Sequence, residues 1–190
     1  MKRVLFAVPV LALFATVAFS QMPAGGKTTL QTSLQRGYAG LKANLTQEAE
    51  KMPEADYSFK PGSTPEARTF AQVIAHIAQS QLGTCSALKG VPNPMAGKNL
   101  EQELKTKAEI TKALADSFAL CDTAFAAVTD ANATEMVKAG QNEQTRAASL
   151  YGVIVHGNEI AGTAYAYLRT KGIVPPSTER AMAGRGRGNN

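Results

Sequence analysis

The sequence predicts an all-α bundle, and three observations carry that prediction. Pro and Gly gather in clusters, Pro53 to Pro65, Gly90 to Gly97 and Gly172 to Pro176. Between those breakers the apolar residues recur at three and four residue steps rather than alternately, which is the period of a helix and not of a strand. The chain also has no Trp, few aromatics and abundant Ala, Leu, Gln and Lys, a composition that suits helices.

Helix one is expected from about Thr28 to Lys51, with Leu30, Leu34, Tyr38, Leu41 and Leu45 as its apolar stripe. Gly37 and Gly40 each weaken it by roughly 1 kcal/mol relative to Ala, so they mark close packing or a bend. The linker from Met52 to Arg68 is long for a structureless loop, and its Tyr57 and Phe59 are expected to pin it to the bundle. Helix two opens on Thr69 with Gln72 three residues later, a reciprocal capping signal. It presents Phe70, Val73, Ile74, Ile77, Leu82 and Cys85 before Gly90 and Pro92 stop it.

Helix three is expected from about Asn99 to Val128, with Leu100, Leu104, Ile110, Leu114, Phe118, Cys121 and Phe125 on one face. Glu101, Lys105, Glu109, Lys112 and Asp116 fall on the opposite, solvated face. Residues 129–144 are polar and Ala-rich, with one short helical turn expected around Glu135 to Lys138. Helix four runs from about Gln144 to Thr170, closed by Lys171-Gly172 and Pro175-Pro176.

The ends of the chain differ from its body. Lys2 and Arg3 precede an apolar run from Val4 to Phe19, interrupted by Pro9 and ending in Ala18-Phe19-Ser20. That is the pattern of a secretory signal peptide over residues 1–20, and the run falls short of the ~20 unbroken apolar residues a membrane span needs. Stable membrane insertion after cleavage is therefore not expected. Cleavage removes Lys2 and Arg3 and no acid, taking the formal charge from +5 to +3. Arg180, Arg185 and Arg187 against Glu179 then leave +1 on the body, residues 21–178. A nucleic-acid partner would need clustered Lys and Arg on the folded surface, and a body so nearly neutral argues against one. The tail, 179–190, is Gly- and Arg-rich and reads as a disordered, basic end.

Cys85 and Cys121 are the only cysteines. In an exported chain, two and only two cysteines point to a bridge; the alternative is two buried thiols acting as small apolar residues. Parallel second and third helices would bring them to comparable heights, and antiparallel ones would separate them. The ten residues from Lys89 to Lys98 span at most ~33–36 Å, just enough to return along a 20-residue helix of roughly 30 Å, so length alone leaves the winding open.

The chain has two histidines, His76 and His156. The segment Phe70-Ala71-Gln72-Val73-Ile74-Ala75-His76-Ile77-Ala78, and the segment from His156-Gly157-Asn158-Glu159-Ile160 through Tyr167-Leu168-Arg169 to Pro175-Pro176, resemble the second and fourth helices of DinB-type four-helix bundles. The resemblance covers about Leu30 to Ser177 and is most specific at the Tyr167 to Pro176 exit and in the placement of the two histidines. It implies an up-down-down-up winding and a divalent ion, commonly zinc or nickel, held by three imidazoles at the open end of the bundle. Three protein ligands and an open position let a metal activate bound water or thiol at neutral pH. Some members transfer the thiol of a low-molecular-weight cofactor, and many have no established activity.

His76 and His156 carry over as two of the metal ligands. The third position, one turn beyond His156, is Ile160, which has no lone pair to offer. Glu159 points roughly 100° away around the helix. Asn158 and Glu159 are therefore expected to hydrogen-bond near the surface of helix two or three. No G-x-S-x-G, H-E-x-x-H or G-x-x-x-x-G-K-[ST] is present. The expectation is an exported, periplasmic bundle with a weakened or lost metal site, admitting a small-molecule ligand and a homodimer. The alternative is a divalent-metal-dependent transferase or hydrolase acting on a small molecule.

Overall fold

The computed structural model of the chain describes residues 27–140 and 142–187; the expected signal peptide lies outside them. The order is α1 (Leu30–Lys51), a 3-10 turn (Glu54–Asp56), α2 (Phe70–Lys89), α3 (Leu100–Glu103), α4 (Lys107–Ala126), β1 (Met136–Ala139), β2 (Asn142–Thr145), α5 (Arg146–Thr170) and α6 (Pro176–Arg187). The four long helices α1, α2, α4 and α5 make the bundle. No described helix is long and apolar enough to cross a membrane.

Each long helix starts at a threonine. Thr29, Thr69, Thr106 and Thr145 accept backbone N–H bonds from the residue three places on, and the first three are returned by the side chain at that position. These bonds satisfy donors that the first helical turn leaves orphaned. α2 ends on Gly90 at φ +66°, a left-handed cap that costs glycine nothing. In the linker, the Tyr57 hydroxyl donates to the Ala49 carbonyl at 2.6 Å. Tyr57 and Phe59 pack edge-on against Phe70 and Tyr167, pinning the linker as its aromatics predict.

The winding follows from which residues meet. Cys85 and Cys121 form a disulfide with their Cα atoms 5.2 Å apart, and one turn earlier in each helix Ser117 donates to Gln81 Oε1 at 2.9 Å. Contacts that advance together mean that α2 and α4 are parallel. α1 and α5 are parallel as well, since a methyl added to Gly37 would meet Ile154 and one added to Gly157 would meet Leu41. α2 and α5 run oppositely, His76 meeting His156 while Phe70 meets Tyr167. The bundle is therefore up-down-down-up. Gly37 marks a close approach as expected, whereas nothing lies near Gly40. At Gly157 the approach is extreme: an added Cβ would lie 2.3 Å from Leu41 Cδ2, so only glycine lets α5 settle this close to α1, one residue after His156.

Three expectations need correction. Helix three is not continuous: Leu104 is extended at φ −80°, ψ 133°, and α4 starts afresh at Lys107. The cause is the capping box at Thr106, which caps Glu109 N–H while the Glu109 carboxylate accepts the N–H groups of Thr106 and Lys105. Residues Glu135 to Lys138 form no helical turn but a β-hairpin pairing Met136 with Thr145 and Ala139 with Asn142, reversed through Gly140 at φ +66°. The tail is helical through Arg187 and docks on α1, where Arg180 reaches Gln47 and Asn44 and Lys51 pairs with Glu179. Arg180 has amide partners on α1, which composition alone does not reveal.

The core is continuous through the bundle and holds one acid. Glu48 has no exposed surface, and neither carboxylate oxygen has a hydrogen-bond partner among the described residues.

Candidate functional site

His76 sits in the second turn of α2 and His156 near the middle of α5. Antiparallel packing brings their rings together, with centroids 5.2 Å apart and planes 81° to each other. Their Nε2 atoms are 3.2 Å apart. The side chains are 27% and 36% exposed, so the pair is reachable from solvent yet held on both sides.

What holds each ring is a carboxylate on its other nitrogen. Glu101 Oε1 lies 2.7 Å from His76 Nδ1, and Glu159 Oε2 lies 3.1 Å from His156 Nδ1. A carboxylate only accepts, so each Nδ1 is the protonated nitrogen. With the hydrogen on Nδ1, an imidazole in its neutral form presents a lone pair at Nε2. Two lone pairs directed at one another across 3.2 Å repel unless something positive lies between or in front of them. The arrangement can therefore hold a shared proton or two coordination positions of a cation. Carboxylate-backed imidazoles are also the usual outer support of metal-bound histidines.

Glu101 is itself positioned. Arg68 Nε donates to Glu101 Oε2 at 2.7 Å, and the Tyr167 hydroxyl donates to the Arg68 carbonyl at 2.6 Å. The exit segment of α5 thus reaches the pair through Tyr167, Arg68 and Glu101. Partial burial acts to raise the Glu101 carboxyl, but hydrogen bonds from Arg68 and His76 outweigh it and hold the group below the usual carboxylate range. It remains an anionic acceptor.

Glu101 and Arg68 were not foreseen as site residues. Glu101 belongs to the solvated face only if helix three is continuous; the break after α3 turns it instead onto His76, with its side chain 22% exposed. The signal that reveals this is Thr106-x-x-Glu109, of the same kind as the one at Thr69. Asn158 also departs from expectation: it is exposed and donates to the Ile154 carbonyl of its own helix at 2.9 Å. Glu159 likewise stays on α5, behind the His156 ring. Neither reaches α2 or α4. Ile160 is 7% exposed and belongs to the core, presenting methyl groups one turn beyond His156.

Among the described residues, no group of three or more His, Cys, Asp or Glu is placed to hold a metal ion. The donor set fits two positions of an ion and not the three protein ligands of a catalytic zinc site. Beside the pair lies a cleft of about 530 Å³, bounded by His76 and the exposed face of α2, by Asn93 of the following connection, and by Lys138 and Gln144 of the hairpin. Its size is within the range of small-molecule sites.

A family model described as the DinB superfamily matches residues 39–159, more than half of the chain. Among solved structures, a DinB-like protein of Bacillus cereus is 15% identical with a TM-score of 0.62, covering 75% of this chain and 93% of its own. A DinB-like protein of Bacillus subtilis is 18% identical, with a TM-score of 0.55 and coverages of 74% and 92%. A conserved protein of Enterococcus faecalis is 15% identical, with a TM-score of 0.57 and coverages of 75% and 97%. At these identities the likeness is one of fold. No protein among the curated ones matches the chain.

Proposed function

Because this chain belongs to the DinB superfamily, we propose that it is an exported helical-bundle protein that holds a small molecule in the cleft beside His76 and His156, its divalent-ion site weakened by Ile160. The observation that carries this reading is the direction of the imidazoles. The two Nε2 atoms meet at 3.2 Å and His76 lines the cleft, while the neighbouring position on α5 offers only an aliphatic side chain. Two neutral imidazoles bind a divalent ion weakly, and affinity ordering among first-row metals then decides little about which one is taken. Export is supported by the apolar run and small residues at the N-terminus and by the disulfide, a bond kept in oxidising compartments such as the periplasm.

The second reading, a metal-dependent transferase or hydrolase, is favoured by the carboxylates behind both rings. Elemental analysis of the mature protein separates the two. The first reading predicts substoichiometric zinc or nickel, melting unchanged by chelator because nothing bound only to the folded state is removed, and a stoichiometric gain in Ile160→His. One equivalent of metal retained by the parent and lost in His76→Ala would overturn it in favour of the second.

A further inference from the structure

No acid lines the cleft, and beside the His76 ring and the Gln144 amide, whose NH2 donates to Ser149, two further amides turn their donor ends to it. Gln79, one turn after His76, uses its Oε1 to accept the Leu100 N–H at 2.7 Å. Asn93 uses its Oδ1 to accept the Met95 N–H at 2.9 Å. With each amide oxygen taken by backbone, the NH2 ends are the free ones, and neither nitrogen meets an acceptor among the described residues. Across from α2, Lys138 lines the same cleft and has no ion pair among the described residues. No Asp or Glu lines it, since Glu101 is turned away behind the His76 ring and bound there by Arg68. The floor is small and polar where Ser80, Gly83 and Thr84 face outward, so a ligand can lie along the helix.

We propose that this cleft selects a small molecule bearing a single carboxylate, received by Lys138 and the amide nitrogens of Gln79 and Asn93. The inference rests on the reading of the cleft as a small-molecule site. A carboxylate accepts several hydrogen bonds and carries one negative charge, which one lysine matches. A phosphate group, more highly charged and better suited to paired guanidinium groups, lacks a second cation here. A cationic organic ligand would meet Lys138 and find no carboxylate in the lining to balance its charge.

The test uses N-acetylalanine, its neutral amide N-acetylalaninamide and inorganic phosphate as probes. They are titrated into the mature, disulfide-intact protein while the ring signals of His76 and His156 and the side-chain NH2 signals of Gln79 and Asn93 are followed by NMR. N-acetylalanine is expected to bind about five-fold or more tighter than the amide, the fold-change that corresponds to an ion pair of ~1 kcal/mol, and tighter than phosphate. Lys138→Gln is expected to reduce it to the level of the amide. Asn93→Asp keeps an acceptor for Met95 but replaces the free donor with a charge, and is expected to abolish the preference. Equal binding of acid and amide, tightest binding of phosphate, or no response of the amide signals to any probe would overturn the proposal. Acid-selective binding with silent imidazole signals would support it while sinking the placement of the ligand against the histidines. Imidazole signals that respond equally to acid and amide would do the reverse.

Discussion

Replacing Glu48 by Gln removes the one carboxyl buried in the core, and the effect can be worked from its surroundings. Burial raises the group from 4.5 to about 8, and the charge of Arg180 and the nearby Tyr165 oppose that rise without overcoming it. The folded protein therefore keeps this proton at neutral pH, while the unfolded chain gives it up above its ordinary value. Since the native state binds more protons in that window, stability falls as pH rises from about 4.5 to about 8 and is flat beyond it. At about 1.4 kcal/mol per pH unit the whole window is worth roughly 4–5 kcal/mol as an upper limit. Glu48→Gln keeps the shape and removes the titration, so the variant is expected to match the parent near pH 4.5 and to exceed it by several kcal/mol at pH 8. Urea unfolding at a series of pH values, with the disulfide intact, measures both. Parallel stability curves for the two proteins across this range would refute the argument, because they would mean that Glu48 ionises in the fold at no cost.

The Cys85–Cys121 bridge closes a loop with a sequence separation of 36, for which the chain-entropy estimate is roughly 4 kcal/mol; the double serine variant is expected to lose about that much in urea unfolding. Gly157→Ala places a methyl against the buried Leu41 and is expected to destabilise by about 1–3 kcal/mol, with the His156 ring signals shifted because the next residue moves. Thr106→Ala removes the cap that starts α4 and is expected to cost about 1 kcal/mol in thermal or urea unfolding.

The parts of the fold that could be read in the chain are those where one local signal acts alone. Thr69 with Gln72 fixed the start of α2, and the resemblance around His76 and His156 placed two rings that the structure brings to 3.2 Å. The paired cysteines agreed with the parallel winding once the structure joined them. What was not legible depends on signals in competition. From Leu100 to Phe125 the apolar stripe argues for one helix, and Leu104 fits it, yet Thr106 and Glu109 stop and restart the backbone there. That choice decides whether Glu101 faces water or His76, so the position of one helix boundary decides whether Glu101 belongs to the site. In the hairpin, four residues on each side are too few for a period to show, and Gly140 is the only strong local cue. α6 is held by partners on α1 that are more than 120 residues distant, which no window along the sequence reveals.

At the centre of the site, carboxylates fix two imidazoles so that their Nε2 atoms face each other. Nitrogen-15 NMR of the histidine rings, only two in the chain, reads this directly. Hydrogen is expected on Nδ1 of both rings in the parent, with His76 alone released in Glu101→Ala. A bare Nδ1 on either ring of the parent, or rings that respond as independent, solvent-exposed imidazoles, would contradict it.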